Sequence, residues 1–90
     1  MIYHINRMRT RADATPQQIE EALEVLREQG RVIPSVRSFT VGRHAGGEFN
    51  WGAVFVIADL DGYWEYLIHP AHLRTDRVGL PLAARIETYD

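Results

Sequence analysis

Apolar and polar residues in this chain follow two periods, and the changes between them mark six elements. From Met1 to about Met8 the period is two: Ile2, His4, Asn6 and Met8 point one way, and Tyr3, Ile5, Arg7 and Arg9 the other. Thr15-Pro16-Gln17-Gln18 then opens a helix, with a capping threonine, a proline at the first helical position and a glutamine closing a capping box. Ile19, Ala22, Leu23 and Leu26 form its buried stripe, Glu20, Glu21, Glu24, Arg27 and Glu28 its wet side, and Gly30 is expected to end it. Val36 to Val41 alternates again as a second strand, and Arg43 to Asn50, with Gly46-Gly47, reads as a turn. Trp51 to Ala58 is the third strand.

In that third strand the alternation fails, because Ala53 to Ile57 are all apolar. Both faces of the sheet therefore need cover. Two helices can lie on one face, and nothing else in the chain is available for the other. The simplest closed solution is a two-fold homodimer. Asp59 can cap a second helix in which Leu60, Tyr63, Trp64, Leu67 and Ile68 fall at i, i+3, i+4, i+7 and i+8, so this stripe is expected against the core. Pro70 should stop the helix and leave His72 just past its end. Leu73 to Val78 offers a further turn, Gly79-Leu80-Pro81 breaks it, and Ala84 to Tyr89 is the last strand. The order βαββαβ is the ferredoxin-like α+β plan, carried by a single domain over residues 1–90.

Composition narrows the function. The chain lacks cysteine, which removes disulfides, thiolate zinc sites and a cysteine nucleophile. A net charge of −2 gives no electrostatic reason to expect nucleic acid. The apolar run from Ala53 to Ala58 is too short to span a bilayer, and Met1 onward lacks an apolar signal region, so a cytoplasmic protein without a membrane partner is expected. Phosphate loops, dinucleotide fingerprints and a Ser-His-Asp grouping are not found.

The chemically capable residues gather at Tyr66-x-x-His69-Pro70-x-His72. A positioned imidazole beside a phenol can move protons near neutral pH. Two readings stand side by side. In one, His69 and His72 cap the helix end and Tyr66 is packing. In the other, His4 and Asn6 point toward the helices and converge with Tyr66 and His72 on a small pocket. His69 and His72 straddle a proline without a carboxylate spaced as a third ligand, so no metal is expected, although His44 in the glycine-rich loop could approach any site. Asn6 can touch a polar ligand or bond a neighbouring side chain. Arg7, Arg9 and Arg11 could bind an anion or a partner's carboxylates, and a solvated or intersubunit salt-bridge role is the preferred reading. Phe55 and Tyr63 are read as core aromatics, and Trp64 as a wall of the pocket.

The same run, together with His4 in the first strand and Val32-Ile33-Pro34-x-Val36 before the second, resembles the stress-responsive dimeric α/β-barrel (Dabb) family, which includes a plant polyketide cyclase. The resemblance spans the chain and implies a dimeric α/β barrel closed by two four-stranded sheets. It also implies cofactor-independent lyase chemistry of the aldol-type cyclase kind. His72 would be the general base, Tyr66 would hydrogen-bond the substrate carbonyl, and His4 would assist orientation. The ligand would be a small apolar carbonyl or aromatic compound, bound by Asn6, Trp64 and the pair Leu23 and Leu26, which replace a pocket aromatic of the cyclase. The rivals are a non-catalytic stress-response or ligand-binding barrel and, more weakly, a cofactor-free monooxygenase.

Overall fold

The computed structural model describes residues 1–43 and 48–90, so the turn expected at Gly46-Gly47 and any role for His44 lie outside the described residues. The chain runs β1 (Ile2–Thr10), α1 (Pro16–Val32), β2 (Val36–Arg43), β3 (Trp51–Ile57), α2 (Leu60–Ile68), α3 (Pro70–Gly79), one 3₁₀ turn (Leu80–Leu82) and β4 (Ala83–Tyr89). The four strands form one sheet in the order β2-β3-β1-β4, with every neighbouring pair antiparallel. This is the ferredoxin-like α+β arrangement expected from the element order.

Helix α1 begins as its sequence dictates. The Thr15 hydroxyl accepts from the Gln18 amide at 3.1 Å, and the Gln18 side chain accepts from the Thr15 amide at 2.9 Å. It buries Ala22, Leu23, Val25, Leu26 and Gln29. The helix does not stop at Gly30 but continues to Val32. Pro34 ends it by biasing Ile33 to extended backbone, observed at φ −87°, ψ 114°. Gly30 serves close packing instead: a Cβ there would lie 2.0 Å from Phe39 Cδ1.

One sheet face carries the core. Trp51, Ala53, Phe55 and Ile57 of β3 are buried, as are His4 and Met8 of β1, which pair with Phe55 and Trp51. The opposite face, with Ile5, Val54, Val56 and Tyr3, has no helix of the described residues over it. On it Arg7 pairs with Glu87 at 2.9 Å, and its guanidinium lies 4.3 Å from the centre of the Phe49 ring. Arg9 and Arg11 also meet carboxylates of their own chain, Glu48 at 3.9 Å and Asp13 at 3.2 Å.

Helix α2 corrects the periodicity. Leu60, Trp64 and Ile68 of the expected buried stripe are 62%, 60% and 73% exposed, while Gly62 and Tyr66 are buried and Tyr63 and Leu67 half-buried. The cause is Gly62. The Asp59 side chain accepts from its amide at 2.7 Å, and its carbonyl accepts from Ser35 Oγ at 2.8 Å. A Cβ at Gly62 would stand 2.8 Å from Ser35 Cβ, so only glycine lets the helix sit this close. That seat turns residues 62 and 66 inward. Leu60, Trp64 and Ile68, each four residues apart, then form an outer ridge.

Candidate functional site

The site lies between the helix-facing side of the sheet and helices α1 to α3. Its frame is the chain reversal at His69. Backbone at φ −66°, ψ 138° ends α2 there, and Pro70 starts α3 at once, so α3 is a ten-residue helix where the sequence suggested one further turn. The His69 imidazole caps α3, with Nδ1 accepting from the Ala71 amide at 3.0 Å. His72 consequently sits in the first turn of α3 and not in a loop after α2. Its Nδ1–H donates to the Leu67 carbonyl, the last turn of α2, at 3.0 Å. This bond sets the ring and, in the neutral imidazole, puts the lone pair on Nε2.

Tyr66 stands between two imidazoles. Its ring centre is 4.6 Å from that of His72 and 5.3 Å from that of His4. The phenol is 1% exposed. Burial above all, with smaller contributions from Tyr63, Asp76 and Asp90, raises its pKa well above that of an ordinary tyrosine. Tyr66 is therefore a proton-bearing donor at any working pH, not a base.

His4 is 5% exposed and belongs to a directional network. Thr88 Oγ1 donates to Asn6 Oδ1 at 2.8 Å, Asn6 Nδ2 lies 3.4 Å from His4 Nε2, and His4 Nδ1 meets Asp90 Oδ1. The Tyr63 hydroxyl donates to the other Asp90 oxygen at 3.0 Å. Each contact runs from donor to acceptor when the His4 proton is on Nδ1, and that assignment follows from the network. Burial opposes ionisation of Asp90, but the His4 and Tyr63 hydrogen bonds outweigh it and hold the carboxyl below its usual range. Tyr63 is pushed up by its burial first and then by donation to Asp90.

These groups border a cavity of about 260 Å³ that His4, Asn6, Leu26, Tyr66 and His72 all line. The structure thus gathers five of the seven sequence-selected residues. Leu23 stays out because it is fully buried in the core beneath α1. Trp64 stays out because the α2 rotation puts it on the outer ridge. Asn6 lines the cavity with its amide already committed to His4 and Thr88. Sequence reasoning missed Asp90 as the partner of His4, Tyr63 as a polar member of the site, and Gln29 and Thr75 in the wall. The pairing of Ile5 with Tyr89 puts the next residue beside His4, but that register is not visible in the sequence. Among the described residues, no three His, Asp or Glu side chains are grouped to hold a metal. No helix of the described residues is long and apolar enough to cross a membrane. A second hollow, of about 290 Å³, opens on the uncovered sheet face beside Ile5, Thr40, Phe49 and Val54.

Comparison with known proteins follows the same outline. Residues 2–90 match the sequence model of the Stress responsive A/B Barrel Domain. None of the curated proteins matches the chain in sequence. Among solved structures, a dimeric ferredoxin-like protein of unknown function from Thermobifida fusca is similar at 24% identity and a TM-score of 0.87, covering 97% of this chain and 85% of its own. The hydroxynitrile lyase of Passiflora edulis is similar at 14% identity and a TM-score of 0.86, covering 97% and 87%. A cofactor-independent oxygenase from Streptomyces nogalater follows at 17% and 0.76, covering 98% and 89%.

Proposed function

This chain belongs to the stress responsive A/B barrel family, and we propose that it acts as a homodimer whose helix-side cavity binds a small, mainly apolar carbonyl compound and performs cofactor-independent acid–base chemistry on it, as an aldol-type cyclase or another lyase. His72 is the base: with Nδ1–H on the Leu67 carbonyl, Nε2 takes a proton from a carbon next to the substrate carbonyl. Tyr66 donates its hydroxyl proton to the carbonyl oxygen as negative charge develops there. His4, held by Asp90 and Asn6, orients the substrate. The observation that carries this reading is the closeness of the Tyr66 and His72 rings at 4.6 Å on the wall of one cavity. The same fold houses a lyase in Passiflora and a cofactor-independent oxygenase in Streptomyces.

The second reading, a ligand-binding barrel without turnover, draws on the His69 cap and the His72–Leu67 bond, which give the motif a purely structural use. Deuterium exchange separates the two. Acetylacetone in heavy water, followed by proton NMR, should lose its central C–H signal faster with the wild type than with either His72→Ala or Tyr66→Phe, the melting temperatures of both variants staying close to that of the parent. Exchange no faster than in buffer, or variants that exchange normally but unfold early, would assign the turn to architecture alone.

A further inference from the structure

Buried polar atoms in folded proteins nearly all have a hydrogen-bond partner. Among the described residues, two buried side-chain atoms have none, Gln29 Oε1 and Trp51 Nε1, and both belong to residues that line the Tyr66–His72 cavity. Gln29 is fully buried in α1 and is the informative one. Its Nε2 donates to Thr75 Oγ1, which donates in turn to the Ala71 carbonyl at 3.3 Å. That sequence of donors orients the amide and uses the one Thr75 proton. Oε1 is left as an acceptor in need of a donor. Thr75 is three residues from His72, so the Gln29 amide meets the same face of α3 within about one helical turn, roughly 5 Å along its axis, of the proposed base.

Leaving such an acceptor buried is costly, and leucine or methionine would fill the same space without the cost. We propose that Gln29 is a specificity-determining residue that selects a hydroxyl-bearing ligand, Oε1 accepting the hydroxyl proton. The ligand class narrows to an apolar compound with a free alcohol or phenol group. This rests on the cavity being a ligand site, but not on His72 acting as a base.

Binding is the test. 4-Propylphenol and propylbenzene differ by one hydroxyl, and each is titrated into the full chain while backbone amide shifts are followed by NMR. The phenol should bind about tenfold more tightly. Gln29→Met should bring the two to within about threefold by weakening the phenol alone. The preference is read from binding without turnover, so failure of the catalytic reading leaves this result unmoved. If Gln29→Met does not fold, the side-chain amide resonances of Gln29 in the wild type are read instead, and they should move with the phenol and not with the hydrocarbon. Equal affinities for the wild type, no saturable binding of either compound, a preference that survives Gln29→Met, or Gln29 resonances indifferent to the phenol would overturn the proposal.

Discussion

The ring of Phe39 occupies the place where a side chain at Gly30 would begin, 2.0 Å from the position of a Cβ. In an exposed helix, glycine to alanine stabilises by about 1 kcal/mol through helix propensity. Here the sign should reverse. Gly30→Ala forces the Phe39 ring or α1 to move, and overpacking of this kind costs about 1–3 kcal/mol. Urea denaturation of the variant should show a lower midpoint, and a raised one would mean that α1 does not lie on β2 as described.

Acid should loosen the His4 network through Asp90. Its carboxyl is held below 3.8 in the folded chain, so it contributes stability that is present above the unfolded value and lost as pH falls through the folded one. Its side chain is 45% exposed, so solvent screening keeps the contribution small. Glu20, lowered by Arg27 and Arg43, loses its contribution in the same window. Asp90→Asn should lower stability slightly in the neutral region, leave it nearly unchanged well below about pH 4, where the parent carboxyl is protonated, and so flatten the acid limb of the stability–pH curve. A variant curve parallel to the wild type would dismiss the pairing.

The outer ridge of α2 should tolerate charge. Ile68→Lys, 73% exposed at its parent residue, is expected within about 0.5 kcal/mol of the parent. Burial of this stripe against the core would instead make the change cost several kcal/mol. Thermal melts by circular dichroism distinguish the two, with Leu67→Lys as the half-buried contrast.

Dimer formation should depend on the uncovered sheet face. Val54 is half-buried in the single chain and points away from the helices. Val54→Asp places carboxylates on both copies at a two-fold interface, where their burial and mutual repulsion oppose association. Light scattering should give a dimer for the parent and a monomer for the variant. A parent that remains monomeric at high concentration would remove the homodimer from the proposal.

What could be read from the sequence was local. The Thr15–Gln18 capping box and the proline break at Pro70 involve residues a few positions apart, and both sit where their spacing predicts. The two-residue period of β1 likewise placed His4, Asn6 and Met8 on the helix side. Non-local contacts account for the rest. The rotation of α2 depends on Gly62 meeting Ser35, twenty-seven residues earlier, and a count of apolar residues on α2 gives Leu60 and Trp64 more weight than a glycine. Asp90 reaches His4 only through the β1–β4 register, and Gln29 enters the cavity wall only because α3 crosses α1. Tyr66 and His72 were found through their motif, and their spacing came from the break between α2 and α3.

Strand β1 is flanked by β3 on one side and β4 on the other, so the backbone that carries His4 cannot shift without tearing two ladders at once. The imidazole is therefore the stationary wall of the chamber. Across the cavity from it, Tyr66 and His72 ride on two short rods that meet at His69 and Pro70.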